Sequence, residues 1–248
     1  MLKDKISVCM ATYNGRQFIL PQVKSILSQL REYDELIISD DGSTDGTLAV
    51  INKFKDKRIK IFIHHKKTPP FQIAKNNFLV AYNFENALNQ ATGEYIFLSD
   101  QDDVWMPQKV EKTMQTLTNI HCGLTMSTIE VVDSEGRVIQ RNPNLEKVSF
   151  LQGLKKAKYP GCTMAFDRSF LNEILPFPKY TVSHDAWIGL LANYQDRLHI
   201  INESLIQYRR HGANVTSSIK NPLWFKILYR VYYIFEVIKR TTLKKIRG

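Results

Sequence analysis

ELIISDDGSTDGT, residues 35–47, is the stretch that decides the fold. Glu35–Ser39 reads as a short apolar strand closed by Asp40, Asp41, Gly42 and Ser43. A helix follows from Thr44 to Phe54, with Ser43 or Thr44 as its expected cap. Upstream the same unit appears once more. Ile6–Ala11 is an apolar run that ends in Thr12, Tyr13, Asn14 and Gly15, and Phe18–Leu30 carries apolar residues at 19, 23, 26, 27 and 30, one helix face. Downstream come a strand at Ile59–His64, a helix at Asn76–Gln90 and a strand at Glu94–Leu98. Strand and helix alternating over a hundred residues predict βαβ units around a mostly parallel sheet, an α/β fold. Such sheets place ligands at the carboxyl ends of their strands. The polar clusters TYNG, DDGS and SDQDD sit at those ends.

The second half is less regular. Pro107–Thr118 and His184–Asn193 read as helices, and Thr163–Phe166, Leu198–Ile201 and Leu205–Arg209 as strands. Leu124–Val132 and Val138–Gln140 flank Asp133-Ser134-Glu135-Gly136, a hairpin signal. At 248 residues, 44% hydrophobic and 23% charged, the chain suits a soluble globular protein rather than a disordered, collagenous or polytopic membrane one. Cys9, Cys122 and Cys162 show neither a disulfide framework nor zinc spacing, which favours a reducing compartment. The N-terminus has no long apolar segment ending in a cleavage site, so no signal peptide is expected.

Charge is unevenly placed. The net charge is +10, and Lys220–Gly248 holds eight lysines and arginines against one glutamate. A nucleic-acid-binding protein would carry a basic stripe over its body, so nucleic acid is not an expected partner. Leu223, Trp224, Ile227, Leu228, Val231, Phe235 and Ile238 follow helical spacing in this tail, with Lys226, Arg230 and Arg240 largely off the stripe. Charges interrupt every apolar run, so no spanning helix is expected. A basic amphipathic helix can lie on an anionic bilayer. It can also pack on its own domain or on another copy. The expected organisation is a catalytic domain, 1–219, followed by a basic amphipathic tail, 220–248.

Three clusters offer chemistry. Asp100, Asp102 and Asp103 within four residues suit a hard cation such as Mg²⁺ or Mn²⁺ bridging protein and diphosphate, or form a solvated acidic turn. Asp40 and Asp41 suit hydrogen bonds to a base or ribose, while Ser43 suits a cap. Asp185 opens a helix beside His184, as a dipole partner or a general base. Arg209, Arg210 and His211 could neutralise phosphate, or His211 could bind metal. The first loop lacks GxGxxG and GxxxxGK[ST], and no GxSxG elbow occurs, which disfavours nicotinamide cofactors, a P-loop and that hydrolase class.

In order, ISVCMATYNG, ELIISDDGSTDGT, GEYIFLSDQDDVW, GCTMAF, SHDAWIG and YRRHGANVT resemble a family 2 glycosyltransferase over about Lys5 to Thr216. The resemblance implies the GT-A fold, a Rossmann-like central sheet flanked by helices. It implies that Thr12 and Asn14 contact the nucleotide. Asp41, with Asp40 beside it, would read the pyrimidine. Asp100-Gln101-Asp102 matches the DxD element, with Asp102 the direct metal ligand, and Asp103 neighbours the donor sugar or acceptor. Asp185 matches the catalytic base of inverting members, although His184 stands where the family usually has Glu. His211 would complete the metal or diphosphate site. SDQDDVW and YRRHGANVT look most like the bacterial rhamnosyltransferase-like branch, which uses dTDP-rhamnose. The resemblance further implies a role in surface polysaccharide assembly, such as O-antigen or capsule, on a polyisoprenoid-linked glycan acceptor at the inner membrane face. The enzyme would then be cytoplasmic and peripherally bound. UDP-hexose donors, or a non-catalytic sugar-nucleotide-binding scaffold, are the alternatives.

Overall fold

The computed structural model describes residues 4–65, 67–120, 123–141, 149–155, 159–212 and 221–247, without the side chains of 244–247. Cys122, residues 213–216 of the last motif and the 219/220 boundary lie outside the described residues. The first half alternates as expected: β1 (Ile6–Thr12), α1 (Ile19–Leu27), β2 (Glu35–Asp40), α2 (Thr47–Asn52), β3 (Ile59–Ile63), α3 (Lys75–Gln90) and β4 (Tyr95–Ser99). Then come β5 (Val104–Trp105), α4 (Lys109–Ile120), β6 (Leu124–Val132), β7 (Val138–Gln140) and α5 (Phe150–Lys155). A 3₁₀ turn at Gly161–Thr163 leads to β8 (Ala165–Asp167), α6 (Arg168–Ile174), α7 (His184–Tyr194), β9 (Leu198–Arg209) and α8 (Leu223–Arg247).

The strands form one sheet in the order β3-β2-β1-β4-β8-β6-β9-β5, with β7 paired to β6. Strands β1 to β4 are parallel, as are β6 and β9, while β5, β7 and β8 pair antiparallel to their neighbours. Apolar residues alternate between the faces, as the two-residue period of a strand requires. Cys9, Ile37, Ile96 and Leu98 face a core made with α3, α6, α7 and α8. Val8, Met10, Leu36, Ile38 and Phe97 face a second core made with α1, α2 and α4. All six residues of β2 are buried, which explains its unbroken apolar run. Full burial of one such side chain stabilises the fold by about 1.5–3 kcal/mol.

Two local expectations change. Leu198–Arg209 is one strand, not two. The polar residues 202–204 lie where register shifts interrupt the pairing with β6, so the apolar pattern breaks while the strand continues. The expected Ser43 or Thr44 cap is absent, because α2 starts at Thr47 behind Gly46 in a left-handed conformation and has no side-chain cap.

Helix α8 lies against the body. Phe225, Tyr233 and Val237 are buried, and Arg230 and Arg240 donate to main-chain carbonyls of Lys155, Glu173, Leu175 and Pro176. The expected stripe from Leu223 to Ile238 points outward, with Leu223 at 69% and Phe235 at 60% exposure. No described helix is long and apolar enough to cross a membrane.

Candidate active site

The carboxyl ends of β1 and β2 build one wall. Thr12 pairs in register with Asp40, and its Oγ1 donates to Asp40 Oδ1 at 2.8 Å. Asp40 also accepts from Gly42 N (3.1 Å), Ser43 N (2.8 Å) and Ser43 Oγ (2.6 Å). Fully buried, its carboxylate is spent on shaping the turn. Asn14 then stitches the two loops together. Its N–H donates to Ser43 Oγ at 2.9 Å and its Oδ1 accepts from Thr44 N at 2.9 Å. Asp41 lies 2.8 Å from His64 Nδ1, and both side chains are buried. His64 directly follows β3 and donates its backbone N–H to Asp40 O. His64 belongs to none of the motifs in the sequence, and its place at a strand's carboxyl end is the one signal that marks it.

The acidic loop after β4 faces this wall. Gln101 clasps Tyr13 through two bonds, Tyr13 N to Oε1 at 2.9 Å and Nε2 to Tyr13 O at 3.0 Å. At Gly15 a Cβ would lie 2.3 Å from Gln101 Oε1, so a side chain there would push the Gln101 amide out of this clasp. Asp102 Oδ2 sits 2.8 Å from His211 Nε2, and the His211 ring stacks on Phe18 with centroids 4.4 Å apart. These two expected metal ligands, 109 residues apart, therefore meet. Asp103 turns inward instead. It is 1% exposed and accepts Arg209 N at 3.0 Å. Burial, then the charge of Asp102, push its carboxyl up to about 7.

Behind the loop, burial brings the Lys109 ammonium down to about 8 and raises the Cys162 thiol well above its ordinary range. Arg209 donates to the carbonyls of Asp102 (3.1 Å), Asp133 (3.3 Å) and Ser134 (2.9 Å). Its guanidinium fixes the acidic loop to the hairpin, a different use from the phosphate contact considered for it.

Asp185 stands in the first turn of α7, where its Oδ1 accepts the Ser183 hydroxyl and Ala186 N (2.7 Å). Its charge, after burial, Asp103 and Asp102, helps raise the Asp100 carboxyl, so the base candidate and the acidic loop share one field. His184 points away. It is 7% exposed, stacks on Phe84 at 4.0 Å, and burial lowers its pKa, so it packs as a neutral core ring.

The residues fit a hard divalent cation. Asp102 and His211 converge as oxygen and nitrogen donors, and a cation would offset both the burial and the neighbouring carboxylates that together raise the Asp100 carboxyl. A second group, Asp100, Asp103 and Cys162, places its ligand atoms within 4.8 Å of one another. Its thiol is held protonated by burial and one of its Asp103 oxygens accepts Arg209 N, so Asp102 and His211 are the better donors.

This arrangement has counterparts. The structure of Staphylococcus aureus TarS in complex with UDP-GlcNAc superposes with a TM-score of 0.71 at 20% identity, covering 93% of this chain and 66% of that one. It shares the GT-A fold. In sequence, the chain is 27% identical to the dTDP-rhamnosyl transferase RfbG of Shigella flexneri, over 85% of this chain and 76% of that protein. It is 24% identical to the UDP-Glc:alpha-D-GlcNAc-diphosphoundecaprenol beta-1,3-glucosyltransferase WfgD of Escherichia coli, over 95% and 94%. The profile described as Glycosyl transferase family 2 matches residues 7–175, which contain both strand-end loops and the DxD loop. With the fold, those loops and the profile in agreement, the chain belongs to glycosyl transferase family 2 and is a glycosyltransferase.

Proposed function

We propose that this chain is an inverting, divalent-cation-dependent glycosyltransferase that moves rhamnose from dTDP-rhamnose to a lipid-linked glycan acceptor in bacterial polysaccharide assembly. The observation that carries the reading is the convergence of Asp102 and His211 at 2.8 Å in the same field as Asp185. Likeness to RfbG supports the rhamnosyl donor. Thr12, Asn14 and Asp41 would hold the nucleotide, with Asp40 shaping their turn; Asp100 would support the diphosphate side of the site, and Asp103, turned inward onto Arg209 N, would hold the acidic loop rather than touch donor sugar or acceptor. A cation bound by Asp102 and His211 would stabilise negative charge on the departing diphosphate.

Asp185 accepts the proton of an acceptor hydroxyl while that oxygen forms its bond to the anomeric carbon. The bond from that carbon to the diphosphate oxygen breaks, and the nucleoside diphosphate leaves with the electron pair. One displacement inverts the anomeric centre. Holding donor and acceptor together supplies much of the acceleration.

The outward stripe of α8 supports a domain plan of a catalytic part, 1–219, and a membrane-facing tail, 220–248, on the cytoplasmic surface. Likeness to WfgD and TarS favours a second reading, a UDP-hexose donor.

Thermal shifts with dTDP-rhamnose and UDP-hexoses, with and without Mn²⁺, test the proposal. A ligand at 100 times its dissociation constant stabilises by about 2.7 kcal/mol. A Mn²⁺-dependent shift with dTDP-rhamnose that disappears in Asp102→Ala is expected. A shift with UDP sugars alone overturns the rhamnosyl donor, and a metal-independent shift overturns the cation site.

A further inference from the structure

Residues between α6 and α7 carry the chain into Asp185, and no strand pairs with them. Helix α8 supplies much of what holds them. Arg240 donates to the carbonyls of Glu173 (2.7 Å), Leu175 (2.9 Å) and Pro176 (2.7 Å). The Tyr232 hydroxyl accepts Tyr180 N at 3.3 Å. The Tyr233 hydroxyl makes two bonds to one residue, accepting Ser183 N and donating to Ser183 O, each at 3.0 Å. Ser183 in turn donates its side-chain hydroxyl to Asp185 Oδ1. Tyr233 is 1% exposed, with its ring near Trp187 of α7 and Tyr229 of α8.

We infer that Tyr233 is a positioning residue for Asp185, so that α8 sets the base through Ser183 as well as presenting an apolar face outward. The inference rests on Asp185 being the base. Its chemistry is simple. A hydroxyl that both accepts from and donates to the main chain of Ser183 fixes that residue's orientation, and the Ser183 hydroxyl fixes one oxygen of the carboxylate. The other oxygen is then aimed by the covalent geometry of the carboxylate. Proton transfer depends steeply on such alignment, and a misplacement near 1 Å costs on the order of 100-fold in rate. Removing only the Tyr233 hydroxyl leaves the ring packing in place and releases Ser183.

The test uses the full chain and donor hydrolysis, with water as acceptor and dTDP-rhamnose or UDP-glucose plus Mn²⁺ as probes. Nucleoside diphosphate release is the readout. Tyr233→Phe is expected to lower kcat about tenfold, a partial misalignment, while donor KM stays within about twofold of wild type and the donor-induced thermal shift persists. Ser183→Ala keeps the bonds from α8 and loses the bond to Asp185, so it should share the kcat loss; it also serves if Tyr233→Phe folds poorly. Adding Tyr233→Phe to Asp185→Asn should change the residual rate no further, because both act on one step. An unchanged kcat in Tyr233→Phe and Ser183→Ala, with Asp185→Asn inactive, overturns the inference and keeps the base. A further tenfold loss in the double variant also overturns it. Wild-type activity in Asp185→Asn instead removes the base assignment itself.

Discussion

Glu35 opens β2 at the edge opposite the active site, and Glu35→Gln tests what holds the parallel strands together. Its carboxylate is 2% exposed and accepts from Lys5 Nζ (3.1 Å), Lys60 Nζ (2.6 Å), Ser7 Oγ (2.6 Å), Thr92 N (2.8 Å) and Thr92 Oγ1 (2.8 Å). These partners come from β1, β3 and the lead into β4. Burial alone would raise this carboxyl, but the bonds from Lys60, Ser7 and Thr92 outweigh it and bring it from 4.5 down to about 2. That fall corresponds to about 3 kcal/mol of stability at neutral pH. The depressed value fixes the sign. The contribution is complete above the unfolded-chain pKa and is lost as pH falls through the folded one. Between those limits, at pH 3, less than half of it, about 1.4 kcal/mol, remains.

A neutral amide turns one N–H₂ toward donors that need an acceptor. Urea unfolding followed by tryptophan fluorescence should therefore place Glu35→Gln about 3 kcal/mol below wild type at pH 7, with the gap more than halved at pH 3. In a chain of this size the midpoint temperature at pH 7 should fall by about 6–12 °C. A gap under about 1 kcal/mol at pH 7, or one that stays constant to pH 3, would refute the assignment of this stability to the ionised carboxylate.

Two further outcomes follow from the geometry. Phe235→Glu, on the outward face of α8 at 60% exposure, should leave the unfolding midpoint unchanged and lower cosedimentation with phosphatidylglycerol vesicles several-fold. Wild-type protein that stays in the supernatant would refute the membrane-facing role. Arg209→Lys replaces a fork that reaches the carbonyls of Asp102, Asp133 and Ser134 with a single ammonium. It should cost about 1–3 kcal/mol in unfolding free energy and weaken the Mn²⁺ enhancement of donor binding in a titration; unchanged stability would show that the clamp is dispensable.

The alternating first half was legible because strand and helix periods are local properties. It placed TYNG, DDGS and SDQDD at carboxyl ends before any contact was known. Short elements were less legible. Val104–Trp105 and the helices Phe150–Lys155 and Arg168–Ile174 are too brief to show a period. The division of labour inside each cluster was also hidden. Asp40 and Asp41 are neighbours in sequence, yet Asp40 closes a turn while Asp41 meets His64. Asp102 and Asp103 likewise diverge, one toward His211 and one toward Arg209. The outward stripe of α8 was readable, whereas the spending of Arg230 and Arg240 on body carbonyls was not.

By itself, then, the sequence determined the α/β order, the strand-end carboxylates and the aspartate that opens α7, since each follows from spacing of a few residues. Only the tertiary structure decided which oxygen faces which partner. Asp102 with His211, Asp103 with Arg209, and Ser183 with Tyr233 are joined across 109, 106 and 50 residues. No local period specifies such pairs; they arise when burial forces each polar group to find a hydrogen-bond partner wherever packing brings one within reach.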